Sequence, residues 1–402
     1  MRARIVPASS RLPPIRADEP RRATDPYTDE PPKYGRRAGP VSGRRASDDR
    51  LVLGCMTGTS IDGLDVALVC IRGNGLSMRV ELRDQCSREL GKLAPRLRAL
   101  AEQQPCTAGD IAAMARDLAL IHLDACRELT KGQHIDLVCV HGQTVFHAPP
   151  LSWQLFNPAV LAQGLHAPVV CDLRAADLAA GGQGAPITPL ADWILLRHAV
   201  EARAVINLGG FVNLTRLPAD SGVDRITGGD VCACNQVLDA VARTVLDRAY
   251  DENGAAALAG QASPKAVADL SRRLGMQAMA GRSLGTGDEL SSWLERFTDL
   301  PPEDLARSAC AAIAAVVAKA AAPANRLILA GGGTRNRALV AELTARAGVP
   351  VQISNELGVP ATLREAMAFA VLGALCQDGV PITLPAITGV DRAPVAGCWT
   401  WP

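Results

Sequence analysis

The stretch LVLGCMTGTSIDGLDVALVCI, residues 51–71, decides the fold of this 402-residue chain. It predicts a strand, a glycine-rich turn and a second strand, because β-branched and aliphatic runs flank the central MTGTSIDGLD. Gly58 and Gly63 allow the backbone to approach an anion and to donate N–H groups to it. Thr59 and Ser60 add hydroxyl donors. A plain hairpin turn is the alternative that this segment leaves open by itself.

The same turn carries two carboxylates, Asp62 and Asp65. Mg²⁺ takes oxygen ligands, so these side chains are candidates to hold it directly or through water. No Gly-Lys-Ser/Thr sequence follows the glycines, and the turn is therefore not a Walker loop. The segment predicts an anion site of another kind.

The pattern of strand, glycine turn and strand recurs at residues 202–217, ARAVINLGGFVNLTRL. Helical periodicity follows each copy, at 89–130 after the first and at 235–250, 304–322 and 360–377 after the second. Further strands are predicted around residues 135–140, 167–173, 326–330 and 349–354. Two such copies predict an internal duplication, with a cleft between two similar α/β domains.

Three more segments place polar residues at strand ends, where open α/β sheets bind ligands. They are VHGQTVFHAPP at 140–150, CDLRAADLAAGGQGAPITP at 171–189 and LILAGGGTRNRAL at 327–339. A satisfied loop histidine, a solvated ion pair and a simple turn are the respective alternatives. A fourth segment, ITGGDVCACNQVLDA at 226–240, places Asp230 shortly before a predicted helix.

Composition narrows the class of protein. The 42 basic and 41 acidic side chains balance, which disfavours binding to nucleic acid or to an anionic membrane. No uninterrupted apolar run is long enough for a membrane span. The twelve cysteines include no C-x-x-C pair, so we expect reduced, mostly buried thiols and no metal site. Residues 1–50 are rich in Arg and Pro and lack an apolar segment, which predicts a disordered extension without a secretory signal.

Taken together, residues 51–390 resemble the anhydro-N-acetylmuramic acid kinases. The resemblance is carried by MTGTSIDGLD, HGQT, NPA, DLR followed by D and AAGGQGAP, NLGGFVNLT, YDENGA, TGDE, AGGGTRN and EAMAFA. It implies a two-domain actin-like (ribonuclease H-like) sugar kinase fold with ATP and substrate in the interdomain cleft. It also implies a cytoplasmic, Mg²⁺- and ATP-dependent enzyme of murein recycling, which opens 1,6-anhydro-N-acetylmuramic acid with water and phosphorylates O6, and a homodimer.

The resemblance also implies roles for particular residues. Asp230 corresponds to the catalytic base, and Gln143, Thr144, Arg174 and Glu365 correspond to the substrate side. Mg²⁺ bound with ATP would lie near Asp62 and Asp65. The ATP contacts would come from three segments: Gly58, Thr59, Ser60, Ile61, Asp62, Gly63, Leu64 and Asp65; Asn207, Gly209 and Gly210; and Gly331, Gly332 and Gly333.

Several positions depart from the family pattern. Cys232-Ala233-Cys234 replaces Gly-Pro-Gly, at a cost of about 1 kcal/mol for each Cys if the backbone needs a positive φ there. Gly229 replaces an aromatic residue, Ala175-Ala176 replaces two arginines, and Asp288 replaces an arginine. An active kinase, a divergent kinase for another sugar and a catalytically impaired nucleotide-binding sensor are the three hypotheses. The expected domains are residues 51–180 with 377–402, and residues 181–376.

Overall fold

The computed structural model describes residues 49–402 apart from Thr59, Asp62, Ser221 and residues 280–287, and it leaves the side chains of 276–279, 288, 289 and 291 undescribed. The disorder expected for residues 1–50 concerns residues that lie almost wholly outside the described part of the chain. The predicted sites at Thr59 and Asp62 and the side chains of the TGDE motif also lie outside it. The strands of the described part are β1 (Arg50–Thr57), β2 (Gly63–Arg72), β3 (Arg79–Glu89), β4 (Leu137–Val140), β5 (Gln143–Ala148), β6 (Leu151–Leu155), β7 (Val169–Cys171), β8 (Arg203–Leu208), β9 (Phe211–Leu217), β10 (Thr227–Ala233), β11 (Arg326–Ala330), β12 (Val351–Ile353) and β13 (Cys398–Thr400).

The helices confirm the predicted helical segments. They are α1 (Leu93–Ala101), α2 (Ala108–Thr130), α3 (Pro158–Leu165), α4 (Ala175–Ala179), α5 (Pro189–Leu196), α6 (Asn235–Val245), α7 (Ala255–Ala259), α8 (Pro264–Met279), α9 (Asp288–Arg296), α10 (Pro302–Ala321), α11 (Arg337–Ala347), α12 (Arg364–Gln377) and α13 (Pro385–Thr388). Thr107 and Asp110 form a reciprocal capping box at the start of α2, and Asn336 caps α11 by accepting from the Leu339 N–H. None of the described helices is both long and apolar enough to cross a membrane.

The two large sheets share one topology. In the first sheet the order is β13-β7-β4-β1-β2-β3, with β1, β2 and β3 antiparallel and β1, β4 and β7 parallel. In the second the order is β10-β9-β8-β11-β12, again with three antiparallel strands followed by parallel ones. The predicted duplication is therefore confirmed, and with it the two-domain actin-like α/β fold.

Helices α5 and α12 fill the space between the sheets. One apolar cluster contains residues of both helices together with Val52 of the first sheet and Val205 and Ile328 of the second. The outer faces of the sheets are covered separately, the first by α1, α2 and α3 and the second by α6, α8, α10 and α11. Helix α12 lies so close to β1 that a Cβ on Gly54 would stand 2.0 Å from the carbonyl oxygen of Ala366. Only glycine fits at this crossing.

The sequence missed two structural features near the polar segments. Residues 143–155 form a separate two-stranded hairpin, β5–β6, which leaves the main sheet directly after β4. Asp230 lies inside strand β10, a strand that the sequence did not predict. Gly228 and Gly229 precede Asp230, and glycine pairs normally indicate turns, which hid this strand. The expected domain boundary at residue 376 assigned α12 to the second half. In the structure, α12 packs on β1, β2 and β4 of the first sheet.

Candidate active site

The first glycine turn connects β1 to β2. Its only described residue with a left-handed backbone is Ile61, with φ 54°, and the Ile61 side chain is buried. The Ile61 N–H donates to the Gly58 carbonyl at 3.2 Å, and Arg98 donates to the Ile61 carbonyl at 3.0 Å. Ser60 is exposed at the tip, while Gly63, Leu64 and Asp65 already belong to β2. These two hydrogen bonds hold the shape of the turn, and Ser60 lies at the end of the strand pair.

Two hydrogen bonds tie this turn to the HGQT segment. The Thr57 hydroxyl donates to the Gly142 carbonyl at 2.9 Å. The Gln143 amide nitrogen donates to the Gly58 carbonyl at 3.1 Å and to the Thr144 carbonyl at 3.2 Å. Gln143 is fully buried, and its Oε1 has no partner within the described protein. Gln143, predicted on the substrate side, therefore also supports the predicted phosphate turn.

The second and third glycine segments interlock. A Cβ on Gly331, whose φ is +88°, would lie 2.7 Å from Oδ1 of Asn207 and 2.8 Å from the Leu208 carbonyl. Gly333 approaches Leu208 equally closely, and Gly332 is exposed. The Gly331 N–H donates to the carbonyl of Ala361 at 2.7 Å. The loops that sequence assigned to nucleotide binding in the second half form one continuous surface.

Helix α6 begins on this surface. The N–H groups of Cys234 and Asn235 donate to the carbonyls of Gly210 and Gly209 at 2.8 and 3.1 Å. Cys234 has φ −129°, and neither Cys232 nor Ala233 has a positive φ. The conformational cost that we expected for Cys in place of glycine at these positions therefore does not arise. Cys232 and Cys234 are buried, and burial raises the pKa of the Cys232 thiol to about 12. Both act as small apolar side chains.

Asp230 lies on β10 directly opposite Asn213 of β9, and Nδ2 of Asn213 donates to its Oδ1. A β-bulge follows, because the pairing shifts between Asp230 and Cys232. Bulges bend a strand and redirect its side chains. The Asp230 carboxylate is solvent-exposed at this bend.

On the first-sheet side, Arg174 is anchored by neutral acceptors. Its Nε and Nη2 lie 3.3 and 3.0 Å from Nε2 of His141, and its Nη1 donates to the Gly184 carbonyl at 2.9 Å. Burial lowers the pKa of Arg174 to about 10, while the charge of Glu365 acts in the opposite direction. Burial, with a smaller contribution from Arg174, lowers the pKa of His141 to about 3. Arg174 is thus a partly buried cation beside a neutral imidazole.

Glu365 lies in the first turn of α12 among charges of both signs. Burial raises the pKa of Glu365; Arg364 opposes this shift, and the nearby charges of Asp192 and Asp65 raise the pKa further. Asp65 itself accepts a hydrogen bond from the Ser87 hydroxyl at 2.5 Å. Arg174, Glu365 and Asp65 therefore influence one another electrostatically, which brings together residues far apart in sequence.

The remaining polar residues of these motifs have structural contacts. Asp177 is fully buried and accepts from the Gly184 N–H at 2.7 Å and from the Thr388 hydroxyl at 2.8 Å, so it shapes the Gly-Gly-Gln-Gly loop. Thr144 accepts from the Gln154 amide across the β5–β6 hairpin at 3.4 Å. Instead of forming an ion pair with each other, Arg174 and Asp177 both hydrogen-bond to the backbone of Gly184.

The described residues contain no cluster of three or more His, Cys, Asp or Glu side chains suited to hold a metal ion. A Mg²⁺ ion that arrives with ATP does not require such a cluster, because it takes most of its ligands from nucleotide phosphates and water.

Two residues of the site escaped the sequence prediction. Asn213 was quoted only as part of a motif, and its contact with Asp230 depends on strand register. His141 was noted in a polar cluster, but nothing in the sequence indicated that it would hold Arg174. The only local sign of its importance was that the polar His141 directly follows the apolar strand β4.

The duplicated sheets, with glycine segments at the ends of their strands, are the architecture that the resemblance to actin-like sugar kinases implies. The chain belongs to the anhydro-N-acetylmuramic acid kinase family, whose model matches residues 50–402.

This chain covers nearly the whole length of its curated relatives. The anhydro-N-acetylmuramic acid kinase of Salinibacter ruber (strain DSM 13855 / M31) is 34% identical over 389 residues, covering 88% of this chain and 96% of the relative. That of Synechococcus sp. (strain CC9605) is 35% identical, covering 86% and 98%. Among solved structures, component A of the Acidaminococcus fermentans (R)-2-hydroxyglutaryl-CoA dehydratase aligns with a TM-score of 0.45 and 12% identity, covering 82% and 99%. The family assignment rests on the sequence relatives.

Proposed function

We propose that this protein uses ATP to open 1,6-anhydro-N-acetylmuramic acid with water and to phosphorylate O6, giving N-acetylmuramic acid 6-phosphate and ADP. The observation that carries the proposal is the partly buried guanidinium of Arg174, whose hydrogen bonds within the described protein go to neutral acceptors. A guanidinium whose hydrogen bonds go to neutral groups is suited to bind an anionic group of a ligand. The lactyl carboxylate of the sugar supplies one.

Asp230 is the proposed general base. Its exposed carboxylate takes a proton from water as the water oxygen bonds to C1 and the C1–O6 bond breaks. The freed O6 then attacks the γ-phosphorus and ADP leaves. Positioning and charge neutralisation provide most of the rate enhancement in phosphoryl transfer.

The glycine segments are proposed to hold the nucleotide. The first glycine turn, with Gly58 and the exposed Ser60, would meet the phosphates, and the interlocked loops at Asn207–Gly210 and Gly331–Gly333 would meet the remainder of ATP. Mg²⁺, when bound, would neutralise the charge of the β- and γ-phosphates. Asp65 and Asp62 are its proposed protein ligands, through water or directly.

One assay tests the proposed reaction. Purified protein is mixed with Mg-ATP and 1,6-anhydro-N-acetylmuramic acid, and ADP and the 6-phosphosugar are measured. Turnover should disappear in Asp230→Asn and persist in the matched control Asp224→Asn, an exposed aspartate before β10. A near wild-type rate in Asp230→Asn contradicts the role of Asp230. Turnover only with a different sugar identifies a divergent kinase, and ATP binding without turnover on any sugar identifies a sensor.

A second assay tests the lactyl contact. Arg174→Gln should raise KM for the muramic substrate and leave KM for ATP nearly unchanged. It should have little effect on 1,6-anhydro-N-acetylglucosamine, which lacks the lactyl carboxylate. An equal loss for both sugars shows that Arg174 does not read that group.

We further propose a cytoplasmic location, where ATP is available, and a homodimer. Sedimentation velocity of the purified chain tests the second point, and a monomer at micromolar concentration contradicts it. The division into residues 51–180 with 377–402 and residues 181–376 is also a proposal. Limited proteolysis tests it, because cleavage should concentrate near residues 180 and 376.

A further inference from the structure

Three polar side chains form a row across the antiparallel part of the second sheet. Asn207 of β8 lies opposite Asn213 of β9, and Asn213 lies opposite Asp230 of β10. Directly opposed residues of neighbouring antiparallel strands project on the same face of a sheet. The two asparagines and the aspartate are therefore aligned from the interior of the sheet to its edge.

The outer pair of the row is in direct contact. Nδ2 of Asn213 donates to Oδ1 of Asp230. An amide nitrogen is only a donor, so this bond occupies one carboxylate oxygen and leaves Oδ2 for another partner. The bulge immediately after Asp230 bends β10, so the strand alone does not fix the direction of the carboxylate.

The inner end of the row is anchored. Asn207 is 7% exposed, and its Oδ1 abuts Gly331 of the third glycine segment. Gly331 is held in turn by its hydrogen bond to Ala361, in the turn that leads into α12. The strands that align Asn213 therefore end at the loops proposed to bind the nucleotide.

We propose that Asn213 is a positioning residue for the reaction. It holds Oδ1 of Asp230 so that Oδ2 faces the attacking water and receives its proton. Asn213 acts through Asp230 and does not itself touch the sugar or ATP. This proposal rests on the proposed function, since it assumes that Asp230 is the base.

The test compares Asn213→Ala, Asn213→Asp, Asp230→Asn and the double variant Asn213→Ala/Asp230→Asn. Loss of a hydrogen bond to a charged group should lower kcat roughly 10- to 100-fold in Asn213→Ala, with KM for ATP within about twofold of wild type. Asn213→Asp keeps the size but removes the donor, so its loss should be at least as large. Thr227→Ala, an exposed polar position on β10, is the matched control and should keep wild-type kcat.

The double variant separates positioning from direct contact. If Asn213 acts only through Asp230, the double variant should be no slower than Asp230→Asn alone, because interacting sites are not additive. A further multiplicative loss, or a change confined to KM for the sugar, overturns the proposal. So does Asn213→Ala with kcat within twofold of wild type while Asp230→Asn is inactive. An active Asp230→Asn instead overturns the proposed base, and the role of Asn213 with it. Should Asn213→Ala melt at a much lower temperature than wild type, Asn213→Asp decides.

Discussion

Arg174 directs two of its guanidinium nitrogens at a single atom, Nε2 of His141, at 3.3 and 3.0 Å. This geometry requires a lone pair on Nε2, so His141 is neutral and carries its proton on Nδ1. Its lowered pKa, about 3, agrees with that state. The imidazole thus serves as an uncharged support, and the hydrogen bonds of Arg174 in the described part of the chain go to neutral acceptors.

We therefore expect His141→Ala to weaken sugar binding through Arg174. KM for 1,6-anhydro-N-acetylmuramic acid should rise roughly tenfold, in line with the loss of a hydrogen bond to a charged group, while KM for ATP changes little. Steady-state kinetics with each substrate varied in turn measure both values. His134→Ala is the control, because the His134 side chain is 80% exposed. An unchanged KM for the sugar would contradict the supporting role of His141.

Two buried histidines should make the protein sensitive to acid. Burial lowers the pKa of His122 to about 4, and it lowers that of His141 to about 3. Below pH 6.5 the unfolded chain binds protons that the folded protein does not, so stability falls as pH decreases toward these values. Each histidine should reduce the free energy of unfolding by about 2 kcal/mol between pH 7.5 and pH 5.

Urea denaturation at the two pH values measures this loss. His122→Phe removes one titrating group, and the edge contact of His122 with Phe156 leaves it in aromatic surroundings. The variant should lose less stability on acidification than wild type. His134→Gln should behave as wild type, and an equal slope for His122→Phe would show that His122 does not contribute.

Gln143 should affect ATP as well as the sugar, since its amide supports Gly58 in the first turn. Gln143→Ala should raise KM for ATP several-fold, as expected for one neutral hydrogen bond. Thr57→Val removes the neighbouring bond to Gly142 and should act in the same direction. If KM for the sugar alone changes in Gln143→Ala, the contact with Gly58 has no energetic importance.

The ion pair between Arg364 and Asp192 should be essential for stability. Both side chains are buried, and Asp192 also accepts from the Thr215 hydroxyl at 2.8 Å, which joins α12, α5 and β9. Removing one partner of a buried pair costs about 3–5 kcal/mol, so Asp192→Ala should lower the free energy of unfolding by that amount. Glu81→Ala, which breaks the exposed pair with Arg83, should cost less than about 1 kcal/mol. Chemical denaturation of both variants checks the contrast.

The sequence predicted the fold because the fold depends on local patterns. The apolar runs around Met56–Asp65 and at 202–217 indicated strands, and their repetition indicated the duplication that the two sheets confirm. Periodicity likewise located α2, α10 and α12. These signals arise within windows of ten to twenty residues, which a single sequence contains.

The site was only partly predictable, because its contacts join distant segments. Asn213 meets Asp230 through strand register and a bulge, and neither leaves a clear trace in sequence. His141 and Arg174 meet because β4 and β7 are neighbours in the sheet. The substitution Cys232-Ala233-Cys234 suggested backbone strain, yet the observed φ values are negative there. Composition indicates the chemistry available, whereas register decides which groups touch.

The contact of Gly54 with Ala366 has a consequence for redesign of the substrate range. Because no side chain separates β1 from α12 at Gly54, the strand that leads to the first turn and the helix that carries Glu365 form one tightly packed wall there. A bulkier sugar cannot be accommodated by moving that wall without separating β1 from α12. The β5–β6 hairpin forms its own small sheet, and it exposes Phe146 and Trp153 on its surface. Libraries that seek new sugars should therefore vary the hairpin and leave α12 intact.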